Sequence, residues 1–205
     1  MVLIIKIVVL VFSVIIHEVA HGYAAYRLGD PTAKDAHRLT LNPLAHIDFM
    51  GSVLLPLILI ITKSPVLLGW AKPVPFNPGY FRDVKKGVMI VGLAGPASNL
   101  ILAAIAGTIV RIFPFGGIFG IFLVYTCIIN VVLAVFNLIP IPPLDGSRVA
   151  IGFLPPRLIP PYLRLERYGF IIIFGLLWLG ALDYVLGPIA SLILRCLLQG
   201  LGNAG

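Results

Sequence analysis

The apolar run over residues 7–16 passes without a break into His17-Glu18-Val19-Ala20-His21, and the helical pattern continues through Tyr26. At about 1.5 Å per residue, a helix over 2–28 spans roughly 30 Å of hydrocarbon. An ionisable group at that depth costs at least about 2.5–3.5 kcal/mol on insertion scales, which makes it a functional site by default. The chain has four histidines and two glutamates, and this one motif takes two of the histidines and one of the glutamates into the membrane. Residues four apart on a helix are neighbours, about 5–6 Å between Cβ atoms, so both imidazoles reach one cation. Glu18 borders the same face, placed to work on a water at the metal rather than to bind the metal. Chance is the rival explanation, at roughly one such motif in a few hundred chains of this size, and burial weakens it.

Composition sets the class. Of 205 residues, 60% are hydrophobic and 11% charged, against about 25% charged in soluble domains. A soluble fold and a disordered chain are both excluded, and residues 1–205 read as one integral-membrane domain. The formal charge of +7, from 15 Lys+Arg against 8 Asp+Glu, fits basic loops facing anionic lipid headgroups. With no basic run and no cluster of stacking aromatics, nucleic acid is not an expected partner. Cys127 and Cys196 sit in apolar runs outside any CxxC pair and read as buried small hydrophobes. Lys6 and the apolar stretch after it resemble a signal peptide, but no small-residue cleavage site bounds the stretch, so it reads as retained.

The expected architecture is an all-α polytopic membrane protein with about five or six transmembrane or re-entrant segments and a short irregular, β-like membrane-associated loop. The helix of the histidine motif covers about 2–28 and ends at the turn-forming Gly29-Asp30-Pro31. A re-entrant and loop region follows over about 49–80. Within it, the apolar segment 51–62 is short and interrupted by Pro56, and 69–78 is too rich in proline and glycine for a helix. Irregular backbone near a bilayer must be buried in protein or line a wet cavity. A core hairpin over about 87–139 leads to the Asp145 motif at 137–146, and C-terminal helices over about 166–200 are expected to break at Gly187-Pro188. Eleven lysines and arginines, from Arg27 to Arg167, fall in three loop regions. The positive-inside rule makes those loops cytoplasmic, which requires the 51–62 segment to dip or to be paired by a second crossing.

A catalytic metal needs a third protein ligand and an open fourth position. Asp145, just past the end of a span, is the best candidate in another segment; a solvated loop aspartate or a helix cap is its bland alternative. An HExxH in one membrane helix with Leu144-Asp145-Gly146 at the end of a later one resembles the site-2 protease family of intramembrane zinc metalloproteases. The pattern N-x-x-P-x-P-x-L-D-G is met by Asn137, Pro140, Pro142, Leu144, Asp145 and Gly146. Gly95-Pro96-Ala97-Ser98-Asn99 resembles the family's small-residue motif, and Asn42-Pro43-Leu44-Ala45-His46-Ile47-Asp48 its compact prokaryotic branch.

The resemblance implies one Zn2+ per chain on His17, His21 and Asp145, with Glu18 as catalytic base and acid. It implies that Asn137 helps hold substrate or oxyanion, for which an asparagine bonding backbone between helices is the alternative. It implies that the 69–78 loop pairs with substrate as an added strand. The partners implied are transmembrane protein substrates and the lipid bilayer, in a prokaryotic plasma membrane with the site near its cytoplasmic side. Many relatives carry a helix before the HExxH helix, or a PDZ or CBS module; here the motif begins at residue 17, and neither module is expected. A divalent-metal transporter using the same ligands is the rival, as is an inactive protease-like binding protein. Transport leaves Glu18 without a task and calls for several successive polar sites, and the full set of His17, Glu18, His21 and Asp145 opposes loss of activity. His37 reads as a surface histidine, and His46 as a loop hydrogen bond in preference to a site residue. Gly92 and Gly95 read as close-packing positions, and Trp70, Tyr80 and Trp178 as interfacial or packing aromatics.

Overall fold

The computed structural model describes residues 1–48, 72–113 and 116–199, with 51, 54, 58 and 61. Eight α-helices run along these residues: α1 (Val2–Arg27), α2 (Thr32–Asp35), α3 (Val84–Ile112), α4 (Gly117–Asn137), α5 (Asp145–Ile151), α6 (Ile159–Arg164), α7 (Glu166–Trp178) and α8 (Ala181–Leu198). Among the described residues there is no strand, and α1, α3 and α4 are long and apolar enough to cross a membrane. Apart from 51, 54, 58 and 61, the expected dip over 51–62 lies outside the described residues, as do the first residues of the 69–78 loop, Trp70 included, and Pro114 and Phe115 of the hairpin turn.

The three spans pack by small and polar residues and turn apolar ones outward. On α1 the buried positions include Ile5, Val9, Ser13, His17, His21 and Ala25, one every four residues. Four residues advance about 400° around a helix, so this stripe drifts by about 40° per step. One helix can therefore meet two neighbours along its length, and α1 packs on both α3 and α4. On α3 the buried face carries Gly87, Gly92, Gly95, Asn99, Ala103 and Gly107. Side chains this small let backbones approach in a solvent that gives no hydrophobic push between helices. Leu3, Ile4, Ile101, Ile105, Phe119 and Ile171 are exposed, while Ser13, His17, His21, Asn99 and Asn130 are buried. A polar inside and an apolar outside suit a lipid surround.

Local chemistry sets the helix ends. Beyond α1, Gly29 takes φ +103°, a conformation that glycine adopts without penalty, and the Asp30 carboxylate accepts from Thr32 N at 3.0 Å. Asp83 caps α3 by accepting from Lys86 N at 3.0 Å. After α4, prolines at 140, 142 and 143 forbid helix until Asp145 starts α5. An added Cβ on Gly146 would stand 2.5 Å from Ile139 O, so only glycine lets α5 begin this close to the end of α4.

Two expectations need correction. The last apolar stretch breaks at Gly180 and not at Gly187-Pro188: Gly180 has φ +68°, whereas Pro188 lies inside α8. A left-handed glycine turns the chain outright, while an interior proline forfeits one hydrogen bond that membrane helices tolerate losing. Cys127 is buried as expected, but Cys196 is exposed, on the outer side of α8.

Residues 72–77 form an extended strap without regular structure, beside the C-terminal half of α1. Lys72 N donates to His46 O at 2.9 Å, so the chain has returned beside the segment it left before the undescribed stretch.

Candidate metal centre

The stripe on α1 places His17 and His21 side by side, their rings edge to face with centroids 4.6 Å apart. The start of α5, pressed against α3 across Gly92, brings Asp145 to them. Asp145 Oδ2 lies 2.9 Å from His17 Nε2 and 3.1 Å from His21 Nε2, and the two Nε2 atoms are 3.0 Å apart. All three residues are buried, and they form a group able to hold a metal ion. The aspartate is therefore neither a solvated loop group nor a side-chain cap.

The neighbouring bonds decide which nitrogens carry protons. His21 Nδ1 donates to Val91 O at 2.6 Å, and a carbonyl can only accept. For His17 the assignment runs through two asparagines. Asn130 Nδ2 donates to Thr126 O at 2.8 Å, so its Oδ1 faces Asn99. Asn99 Nδ2 donates to that Oδ1 at 2.7 Å and to Ser13 O at 3.3 Å, which turns Asn99 Oδ1 towards His17 Nδ1 at 2.6 Å. Asn130 Nδ2 also donates to Ser13 Oγ at 2.8 Å, closing the network across α1, α3 and α4. Both imidazoles thus spend their Nδ1 protons on protein and direct Nε2 lone pairs at each other and at a carboxylate.

Three lone pairs about 3 Å apart repel unless a cation lies among them. A proton joins two of them; a metal ion joins all three. Ligands at about 2.0–2.1 Å from a tetrahedral zinc stand roughly 3.3 Å from one another, close to the spacing here. The room is provided as well: a Cβ on Gly95 would lie 2.6 Å from His17 Nε2 and still closer to His21 Nε2, in the space a shared ion needs. Two imidazole nitrogens and one carboxylate oxygen are a zinc donor set.

Arg148 completes the carboxylate's environment. Its Nη1 donates to Asp145 Oδ1 at 2.9 Å, which leaves Oδ2 to the histidines. Burial works to raise the Asp145 carboxyl; a proton on the facing histidine Nε2 atoms, in place of a metal ion, would outweigh it through hydrogen bonding and charge and hold the carboxyl well below the usual carboxylate range. Glu18 stands outside the ligand group, half-buried, and its Oε2 accepts from Val74 N of the strap at 2.9 Å. Asn137 is not joined to this cluster: its Nδ2 donates to Leu133 O at 3.0 Å, within its own helix and not between helices. His46 Nε2 bonds Thr40 O at 2.8 Å, the loop bond expected for it, and His37 is exposed.

Sequence reading missed the partners Ser13, Asn99 and Asn130 as a set, and Arg148 and the Val74 amide as neighbours of the site. The signal for the asparagines was present. An uncharged amide in an apolar span calls for a bonded partner as surely as a histidine does.

The description "Peptidase family M50" matches residues 114–180, which include Asp145. Over 195 residues the chain is 38% identical to "Putative zinc metalloprotease YwhC" of Bacillus subtilis, covering 90% of this chain and 85% of that protein. It is 33% identical over 177 residues to "Putative zinc metalloprotease Rip2" of Mycolicibacterium smegmatis, covering 83% of this chain and 65% of the relative. No solved structure matches it.

Proposed function

Because the chain belongs to peptidase family M50 and is an integral-membrane zinc metalloprotease, we propose that it cuts peptide bonds within or beside the transmembrane helices of membrane-protein substrates. His17, His21 and Asp145 are the proposed zinc ligands and Glu18 the proposed base and acid. The observation that carries this reading is the convergence of three buried lone-pair atoms, from two imidazoles and one carboxylate, with a second carboxylate, Glu18, held outside them. When bound, zinc supplies Lewis-acid polarisation of a carbonyl and lowers the pKa of water towards about 7.

The protein's own groups do the rest. Asn99 and Val91 O fix the two imidazoles, and Arg148 fixes the carboxylate, so the ligand set is in place before any substrate arrives. Glu18 accepts a proton from water and passes it to the leaving amine. Asn137 is assigned to the substrate or the oxyanion, a role that requires it to share or leave its bond to Leu133 O. A substrate helix has no free backbone groups, so it must unwind before attack, and helix-breaking residues lower that cost. Arg27, Lys34 and Arg38 follow the motif end of α1, which supports a site near the cytoplasmic side of a prokaryotic plasma membrane.

The test is zinc content and cleavage of a synthetic transmembrane substrate in detergent, wild type beside Glu18→Gln. The expected result is one zinc per chain in both, with cleavage falling by about 10²–10⁴-fold in the variant. Transport through the same ligands would survive this change, so metal binding without cleavage in the wild type would overturn the proteolytic reading.

A further inference from the structure

The loop that delivers Asp145 is poor in donors of its own. Over 138–144, prolines stand at 140, 142 and 143 and carry no N–H. The amides that remain are spent locally: Leu138 N on Ala134 O, Ile139 N on Phe136 O, Ile141 N on Ile139 O and Leu144 N on Ile141 O. The carbonyls of Pro140 and Pro142 receive none of these bonds, and the C-terminal helices come against both. Tyr162 Oη, on α6, donates to Pro140 O at 2.7 Å across 22 positions of sequence. Gly169, on α7, is buried, and a Cβ on it would overlap Pro142 O and stand 2.8 Å from Pro143 Cδ. Only glycine lets α7 lie this close to the loop.

The three ligands therefore rest on different supports. His17 and His21 are fixed by Asn99 and Val91 O, both on α3, and owe nothing to the C-terminal helices. Asp145 comes from a short helix whose approach is set by the loop before it. Arg148 fixes the turn of the carboxylate, but it rides on the same helix, three residues on, and cannot fix the helix itself. Gly146 and Gly92 seat α5 on the ends of α4 and α3. The hydroxyl of Tyr162 seats the preceding loop on a segment outside the three spans.

We propose that Tyr162 is a positioning residue for the metal centre: its hydroxyl holds Pro140 O, and through residues 140–144 it sets how far Asp145 reaches towards His17 and His21. The inference rests on the ligand role proposed above for Asp145. It gives α6 and α7 a part in the site beyond packing. A shift of these helices that draws Tyr162 off Pro140 loosens the third ligand and leaves the two imidazoles in place.

Cobalt(II) titration of the metal-free full chain in detergent tests this, in wild type, Tyr162→Phe and Tyr168→Phe. Cobalt takes nitrogen and oxygen sites of this kind, and its visible absorption reports the geometry of its ligands. Tyr162→Phe keeps the ring and removes only the donor, while Tyr168, exposed and close by on α7, loses its hydroxyl as the control. Cobalt should bind Tyr162→Phe about 3–10-fold more weakly, the loss of one hydrogen bond, and the visible bands of the bound ion should shift. Tyr168→Phe should match the wild type in both. A role confined to packing would lower the thermal unfolding of the metal-free protein and leave affinity and spectrum unchanged; that result overturns the proposal, as does an equal loss in Tyr168→Phe. A wild type that takes up no cobalt overturns the ligand reading and this inference with it, whereas wild-type binding matched by Tyr162→Phe overturns this inference alone.

Discussion

The metal centre and the strap lie on the same helix, yet they are held by opposite means. Around His17 and His21 the supporting bonds come from uncharged groups, namely Asn99, Asn130, Ser13 and the Val91 carbonyl, all inside the three-span core. The strap is held by ions: Arg38 on the Lys72 and Pro73 carbonyls, Asp30 on the Asn77 amide and Glu18 on the Val74 amide. Ionised acceptors and donors make stronger bonds, and they can be exchanged with water or a ligand at the edge of the protein. In a dry interior, an uncharged amide with every partner in place has no such alternative, and losing one partner is costly. The inner wall of the site is therefore fixed in advance, while the outer wall is fixed at its ends and exchangeable in its middle.

The largest break in this comparison should come from Gly95→Ala. A single methyl, 2.6 Å from His17 Nε2, takes the space of the ion itself. Zinc content should fall from one per chain to near none, and activity with it by at least about 10³-fold, while the spans remain folded by circular dichroism. Asn99→Ala comes next. It removes the partner of His17 Nδ1 and strands Asn130 Oδ1. Zinc affinity, read by chelator competition, should weaken about 10–100-fold, with a loss of about 1–3 kcal/mol in thermal unfolding. Arg38→Ala moves to the strap and should spare the metal. Zinc affinity should stay within about twofold, while hydrogen exchange of the Val74 amide quickens about 10–100-fold from losing charge-assisted bonds of about 1.5–3 kcal/mol. If Arg38→Ala instead lowers zinc affinity as far as Asn99→Ala does, the two walls are one unit and the contrast fails.

The legible parts of the molecule were those with a periodic or chemical signature. Residues 2–28 and the two spans of the hairpin were readable as apolar stretches, and His17, His21 and Asp145 as candidate ligands; α1, α3 and α4 run over those stretches, and the three side chains lie together. The break in the last stretch was misread because a glycine-proline pair is a louder signal than Gly180 alone, yet α8 carries Pro188 in its interior. Arg148 was counted as one of many loop charges, since nothing in sequence distance says that Asp145 Oδ1 needs a partner. Asp30 was read as turn chemistry, and its second oxygen reaches Asn77, a bond across 47 positions that no local pattern encodes.

The smallest expected effect is the most selective one. Phe76 lies between the two walls: its ring stacks on Phe81 with centroids 6.2 Å apart, and the Arg148 guanidinium stands 5.3 Å from its centroid. Arg148 in turn holds Asp145, so the Phe76 side chain links the strap to the support of the ligand group. Phe76→Leu keeps the apolar bulk and loses the ring's stacking and its cation contact, together worth about 0.5–1.5 kcal/mol. That should appear as a KM raised about 2–10-fold for a transmembrane substrate, with kcat and zinc content unchanged, because the ring orders the strap and the Arg148–Asp145 pair does not depend on it. A fall in kcat or in zinc affinity would mean that Arg148 needs the ring to hold Asp145. The strap would then help to build the metal centre as well as to line it.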